Sequence, residues 1–356
     1  MTRLYRILLF VACLYFVQCD AEIIQKPIGC FSSMLTERAA LNPNMQGALI
    51  RVTWAQLEPK PGKFDFRSIE DQLRLLPKDK KWSLAVYAGW TSIEEEPKVN
   101  KLRNEFKPRR PMKMHSPQWL VSELNIQTFE MTFRGMMTQM PKYWDPIVQE
   151  RLSLLMNALA KKYNSDERLA LVYVPQMTSN GIEGHFNGVQ NQTLMAAANL
   201  LPGDKEAFQT LWTNASLSAI RSTAQAFNHK AVAFEVHELL GNAIIPKMIM
   251  DRILKDPALR DQVGMGMWWI SGKESYQPEL LIALESFSGD LYGQVIGRSD
   301  QAHRFPEGDY AAVFTQAKRL GMRYIETWNF EFENQSHDDL LKDYNRYCEE
   351  RYSLKP

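Results

Sequence analysis

Apolar residues along the chain fall into short unbroken runs, and each run is followed by a stretch in which they return every three or four positions. Unbroken runs with β-branched and aromatic members read as strands covered on both faces, and the wider spacing reads as helices with one buried side. Residues 26–33, 47–54, 82–90, 169–174, 231–237, 264–270, 290–297 and 322–328 give eight such strands. Between them, Ile69, Leu73 and Leu76 share one helical face. So do Val148, Leu152, Leu155, Leu159 and Tyr163, and later Phe208, Leu211, Trp212, Ala215 and Ala219. Asp145 caps the second of these helices with Pro146 in its first turn, and Gly321 ends a helix over 310–320. Residues 91–114 read as a charged surface loop, and 129–138 alternate as a small hairpin on the rim. Strand and helix alternate with no linker between halves. That order predicts a single α/β domain, a closed (β/α)8 TIM barrel over residues 20–356, in preference to an open doubly wound sheet.

The first nineteen residues stand apart. Arg3 and Arg6 precede an apolar core over 7–17 that is too short to span a bilayer and has the form of a signal peptide. Secretion follows, with no membrane association after cleavage, because no later stretch is long and apolar enough to span. Cleavage near Cys19 leaves Cys30 and Cys348, an even pair in an oxidising compartment, expected to form a disulfide joining the chain ends. Asn191, Asn214 and Asn334 each head an N-glycosylation sequon.

Composition narrows the chemistry. A formal charge of +1 on 356 residues offers no electrostatic footprint for nucleic acid. No G-x-G-x-x-G follows the first strand and no phosphate-binding loop occurs, so no nucleotide cofactor is expected. Gly241 stands where a zinc-protease helix beginning at His237-Glu238 needs its second histidine, and no cysteine cluster survives cleavage, so the sequence gives no support to a metal site. Nor is there a G-x-S-x-G elbow.

What remains is a set of carboxylates at strand ends, where barrel enzymes place their chemistry. The fourth strand runs out at Pro175 into a polar loop carrying Glu183, the fifth ends near Glu235 and Glu238, and the eighth near Glu326. Cleavage of a glycosidic bond needs one carboxylic acid and a second carboxylate as nucleophile or base. Glu183 and Glu326 are the preferred catalytic pair, although Glu326 also reads as a structural partner of Arg51 or Arg323. Sugars stack on aromatic planes while their hydroxyls find polar partners. Trp54, Trp90, Trp268, Trp269 and Trp328 all fall at strand ends, two or three of them expected in a cleft and the rest in the core. Asn180, His185, Glu235 and His237 are candidate polar partners. Tryptophans spread around the mouth favour a groove for a β-linked oligo- or polysaccharide over a single-sugar pocket.

Arg51-Val-Thr-Trp-Ala-Gln-Leu-Glu-Pro-Lys-Pro-Gly-Lys-Phe-Asp-Phe66 resembles the second-strand segment of clan A glycoside hydrolases, and within them of the family 42 β-galactosidases. Residues 117–120, 143–146 and 181–183 are similar to further segments of that family, and the likeness runs over most of 27–330. The resemblance implies a barrel glycosidase without cofactor, Arg51 as the arginine supporting the nucleophile, and Glu183 as acid/base. Two positions depart from it. Ile182 stands directly before Glu183 where those enzymes commonly carry asparagine, and Gln294 is the nearest residue to their seventh-strand nucleophile. A glutamine cannot attack. Either Glu326 supplies the second carboxylate, or the strand count is off by one, or the barrel binds a glycan or protein without hydrolysing anything.

Overall fold

A computed structural model describes residues 24–94, 114–133, 136–186 and 189–353. The expected leader and most of the charged loop lie outside the described residues. Eight parallel strands close a barrel in sequence order: β1 (Gly29–Ser32), β2 (Gly47–Thr53), β3 (Lys81–Tyr87), β4 (Leu169–Tyr173), β5 (Ala231–Glu235), β6 (Val263–Ile270), β7 (Leu291–Val295) and β8 (Tyr324–Thr327). The strand count is eight, so Gln294 belongs to the seventh strand. The long helices outside it are α1 (Arg67–Leu73), α2 (Pro146–Tyr163), α3 (Lys205–Ala226), α4 (Ile244–Lys255), α5 (Pro278–Glu285), α6 (Ala311–Arg319) and α7 (Asp338–Tyr352). The expected hairpin pairs Thr128–Phe133 with Met136–Pro141, and Ser92–Glu94 adds to its other edge as a third antiparallel strand.

Side chains alternate across each strand, so one set fills the barrel and the other meets the helices. Leu49 of β2, Leu171 and Tyr173 of β4, Ala231 and Ala233 of β5, Tyr292 of β7 and Tyr324 of β8 form the interior cluster. Ile50, Val172, Val232 and Ile325 belong to the outer layer with the helices. On α2 the Asp145 side chain accepts the Ile147 N–H, Pro146 opens the first turn, and Val148, Leu152, Leu155, Leu159 and Tyr163 are buried, as their spacing predicts. Each buried leucine contributes about 1.5–3 kcal/mol of transfer free energy. Gly266 faces Glu235 across β6 and β5, and a Cβ there would lie 3.1 Å from the Glu235 Cα and 3.3 Å from the Tyr173 ring. A larger residue would push Glu235 out of place.

The last helix seals the seam between first and last strands. Asn345 of α7 accepts the Cys30 N–H at 2.7 Å and donates to the Asn44 carbonyl at 2.8 Å. The expected Cys30–Cys348 disulfide is not formed, and both residues are buried free thiols. The Cys30 thiol is turned instead to the Leu341 carbonyl, 3.6 Å away and about two helical turns before Cys348. Burial, and then the Cys348 thiol, push the Cys30 thiol well above its ordinary value. Among the described residues no helix is long and apolar enough to cross a membrane.

Candidate active site

At the carboxyl ends of the strands the loops enclose a cavity of about 840 Å³. Arg51, Trp90, Asn180, Glu183, His185, His237, Trp268 and Trp328 of the expected set line it, and so does Trp269. Four of the five strand-end tryptophans therefore share one cavity. Trp54 does not reach it: the ring is wholly buried, its Nε1 donates to the Glu58 carboxylate at 2.8 Å, and it packs edge-on against Trp119. The distinctive Trp54-to-Glu58 segment is thus a structural knot, in which Glu58 also pairs with Arg151 and accepts the Gly62 N–H.

The loop after β4 is shaped around Asn180. Its Oδ1 accepts the N–H groups of Ile182 at 3.2 Å and Glu183 at 2.8 Å, the self-bonding typical of a tight asparagine turn. Gly181 adopts φ +85°, and a Cβ there would lie 2.7 Å from the Ala88 nitrogen. Ile182 points down into the interior cluster, which explains the apolar residue directly before the glutamate. Glu183 then projects into the cavity.

Around Glu183 the polar groups converge. His185 Nε2 lies 3.2 Å from its Oε2 and His237 Nε2 lies 3.7 Å from the same oxygen, while Asn180 Nδ2 donates to Oε1. Burial works to raise the Glu183 carboxyl, but the His185 and Asn180 hydrogen bonds and the neighbouring imidazoles hold it below its ordinary value. It rests as a carboxylate. Burial takes His237 down to about 3, so its ring is neutral near neutral pH. His237 Nδ1 meets the Glu235 carboxylate at 3.0 Å. Glu235 is fully buried and also accepts the N–H groups of Gly184 at 2.6 Å and Trp268 at 3.1 Å. Burial first, then the charge of Glu183, push it well above its ordinary value.

Glu326 lies one layer deeper. It is completely buried, accepts from Tyr173 at 3.0 Å and from the Tyr324 hydroxyl, and is capped by Gln294, whose own side chain lines the cavity. Burial raises its carboxyl in spite of these donors and the nearby Arg51. Arg51 sits 5.5 Å from the Trp268 ring and 6.0 Å from the Trp328 ring, with its Nε and Nη2 buried and without hydrogen-bond partners. The cation lies in the cavity wall between two aromatic planes.

Sequence reasoning did not anticipate Tyr87, His115 and Tyr276, which also line the cavity. They stand in loops or at a strand end with no pattern to mark them. Glu238, noted as a strand-end acid, lines it too, with Oε1 accepting the Leu280 N–H at 3.3 Å. Of the three sequon asparagines, Asn214 and Asn334 are exposed on helices, whereas Asn191 lies at the cavity wall.

No protein-family model matches the sequence, and no curated protein matches it. Solved structures do resemble it in shape. A β-galactosidase from Rahnella sp. R3 superimposes with a TM-score of 0.55 at 9% identity, over 92% of this chain and 57% of that one. Endo-glycoceramidase II from Rhodococcus sp. gives 0.49 at 10% identity over 86% and 73% of the two chains. An exo-β-1,4-mannosidase from Opitutaceae bacterium strain TAV5 gives 0.49 at 11% identity over 95% and 63%. The expected likeness to glycoside hydrolases is met at the level of the fold: the chain has the (β/α)8 barrel that these enzymes share.

Proposed function

We propose that the protein is a secreted glycoside hydrolase acting on β-linked sugars, with Glu183 as its acid/base. The observation that carries this reading is the placement of Glu183, whose carboxyl projects from the loop after β4 into a cavity whose walls include Trp90, Trp268, Trp269 and Trp328. There the carboxyl can exchange a proton with a sugar oxygen, and His185 Nε2 at 3.2 Å holds it in place. The fold shared with a β-galactosidase supports the sugar class. A cavity ringed by tryptophans fits an oligosaccharide held across several of them.

The second carboxylate in this reading is Glu326, which lies directly beneath the cavity-lining Gln294. A second reading has its own observation: Gln294 caps a wholly buried Glu326, which suits a barrel that binds a glycan without cleaving it. A screen of the secreted protein against aryl β-glycosides and β-linked polysaccharides separates the two. Turnover that falls about 10²–10⁴-fold in Glu183→Gln supports the hydrolase. Glycan binding by calorimetry with no turnover supports the second reading. Turnover indifferent to Glu183→Gln rejects the assignment of Glu183.

A further inference from the structure

We propose that Glu183, His185 and His237 form a binding site for a divalent transition-metal ion of the zinc type, opening on the cavity. One ligand atom from each of the three lies within 4.8 Å of the others. Glu183 Oε2 is 3.2 Å from His185 Nε2 and 3.7 Å from His237 Nε2. Ligand atoms held by one tetrahedral zinc at about 2.1 Å stand roughly 3.4 Å apart, so the two observed spacings bracket the edge of such a site. Two imidazoles and a carboxylate are the donors that suit zinc and its first-row neighbours, and calcium or magnesium would call for oxygen donors throughout.

The surroundings supply what a three-ligand site needs. His237 turns its Nδ1 to the Glu235 carboxyl at 3.0 Å, an arrangement that fixes the ring and points Nε2 at the metal position. Glu235 is in turn held by the N–H groups of Gly184 and Trp268. Asn180 fixes the other oxygen of Glu183. All three ligands line the cavity, so the remaining coordination position faces the space where water or substrate enters. The ligands come from the loop after β4 and from the residues just beyond β5, which pair as neighbours in the barrel. An ion bound to Glu183 would take that carboxylate out of proton transfer, so in the hydrolase reading zinc is an inhibitor. The site stands on ligand geometry alone and does not depend on hydrolysis.

The test uses untagged full-length protein stripped with a chelator, titrated with zinc chloride by calorimetry and with cobalt(II) by visible absorption, in the absence of any glycoside. One ion per chain is expected, with intense cobalt absorption of the tetrahedral type. His185→Ala and His237→Ala should each weaken binding roughly 100-fold. Glu235→Gln, which spares all three ligand atoms, should weaken it roughly 10-fold. The side chain of His185 is one-fifth exposed, so thermal melts of His185→Ala serve as the folding control. No uptake by the wild type, or uptake unchanged in His185→Ala and His237→Ala, would overturn the site.

Discussion

Gln294 and Glu326 occupy facing positions of the β7–β8 ladder, and the glutamine side chain donates to the glutamate across it. Both point inward because each lies two residues beyond an interior tyrosine, Tyr292 and Tyr324. The glutamine therefore stands between the Glu326 carboxyl and the cavity.

Gln294→Glu would set two carboxyls side by side in a buried position, where one must keep its proton. Its raised folded-state value predicts no penalty below about pH 4.3, the unfolded value, and a growing penalty as pH rises above it. A loss of roughly 1–3 kcal/mol at pH 7, absent at pH 4, is expected in urea melts at the two values. The same variant tests the non-hydrolysing reading, since an aryl-glycoside activity absent from the wild type would show that position 294 had silenced the barrel.

Asp290, at the entry to β7, bonds to Arg323 at 2.6 Å and pairs with Lys26. Burial would raise its carboxyl, but the two cations overcome that and hold it below its ordinary value. A depressed carboxylate stabilises the fold above its unfolded value of about 3.9 and loses that contribution as pH falls through the folded value. Asp290→Asn should cost about 1–3 kcal/mol at pH 7, and its melting point should converge on that of the wild type toward pH 2. Equal differences at both ends of the range would remove the ion pairs from the explanation.

Trp54→Phe removes the indole N–H that Glu58 accepts, leaving a buried carboxylate short of a donor. A destabilisation of about 1–3 kcal/mol is expected, with glycan binding unchanged. A fall in affinity at constant stability would return Trp54 to the binding surface.

Trp328 is half-buried at the cavity wall, anchored by its Nε1 to the Val295 carbonyl at 2.9 Å. Trp328→Ala should weaken glycan binding about 5- to 10-fold through the lost stacking face. KM should rise while kcat holds, if turnover is present. A change confined to kcat would contradict a stacking role.

The barrel was legible because unbroken apolar runs and helical spacing are local properties, written within each segment. Its eight strands and the caps of α2 follow from them directly. The site was legible only in part. Glu183, His185 and His237 were each visible, yet their convergence depends on the path of the loop after β4, set by the Asn180 turn, which the strand pattern does not encode. Trp54 was misplaced because strand ends look alike in sequence: only the packing of Trp119 and the buried Glu58 shows that this end turns outward. The disulfide failed for a related reason. α7 does lie against β1, but the Cys30 thiol of the strand turns to the Leu341 carbonyl, a choice set by the packing of the seam and not by any local pattern.

The Asn345 clamp on Cys30 also sets an order of events for the growing chain. β1 can join β2 early, but its other edge waits for β8, some 295 positions later, and for α7 to cover the seam. Until β8 has emerged, a nascent chain carries two exposed strand edges, β1 at one end and the latest strand at the other, each able to pair with another chain, and until α7 follows the closed seam stays uncovered. A stop codon a few dozen residues early would therefore leave the seam uncovered and give an aggregating product in place of a weakened barrel.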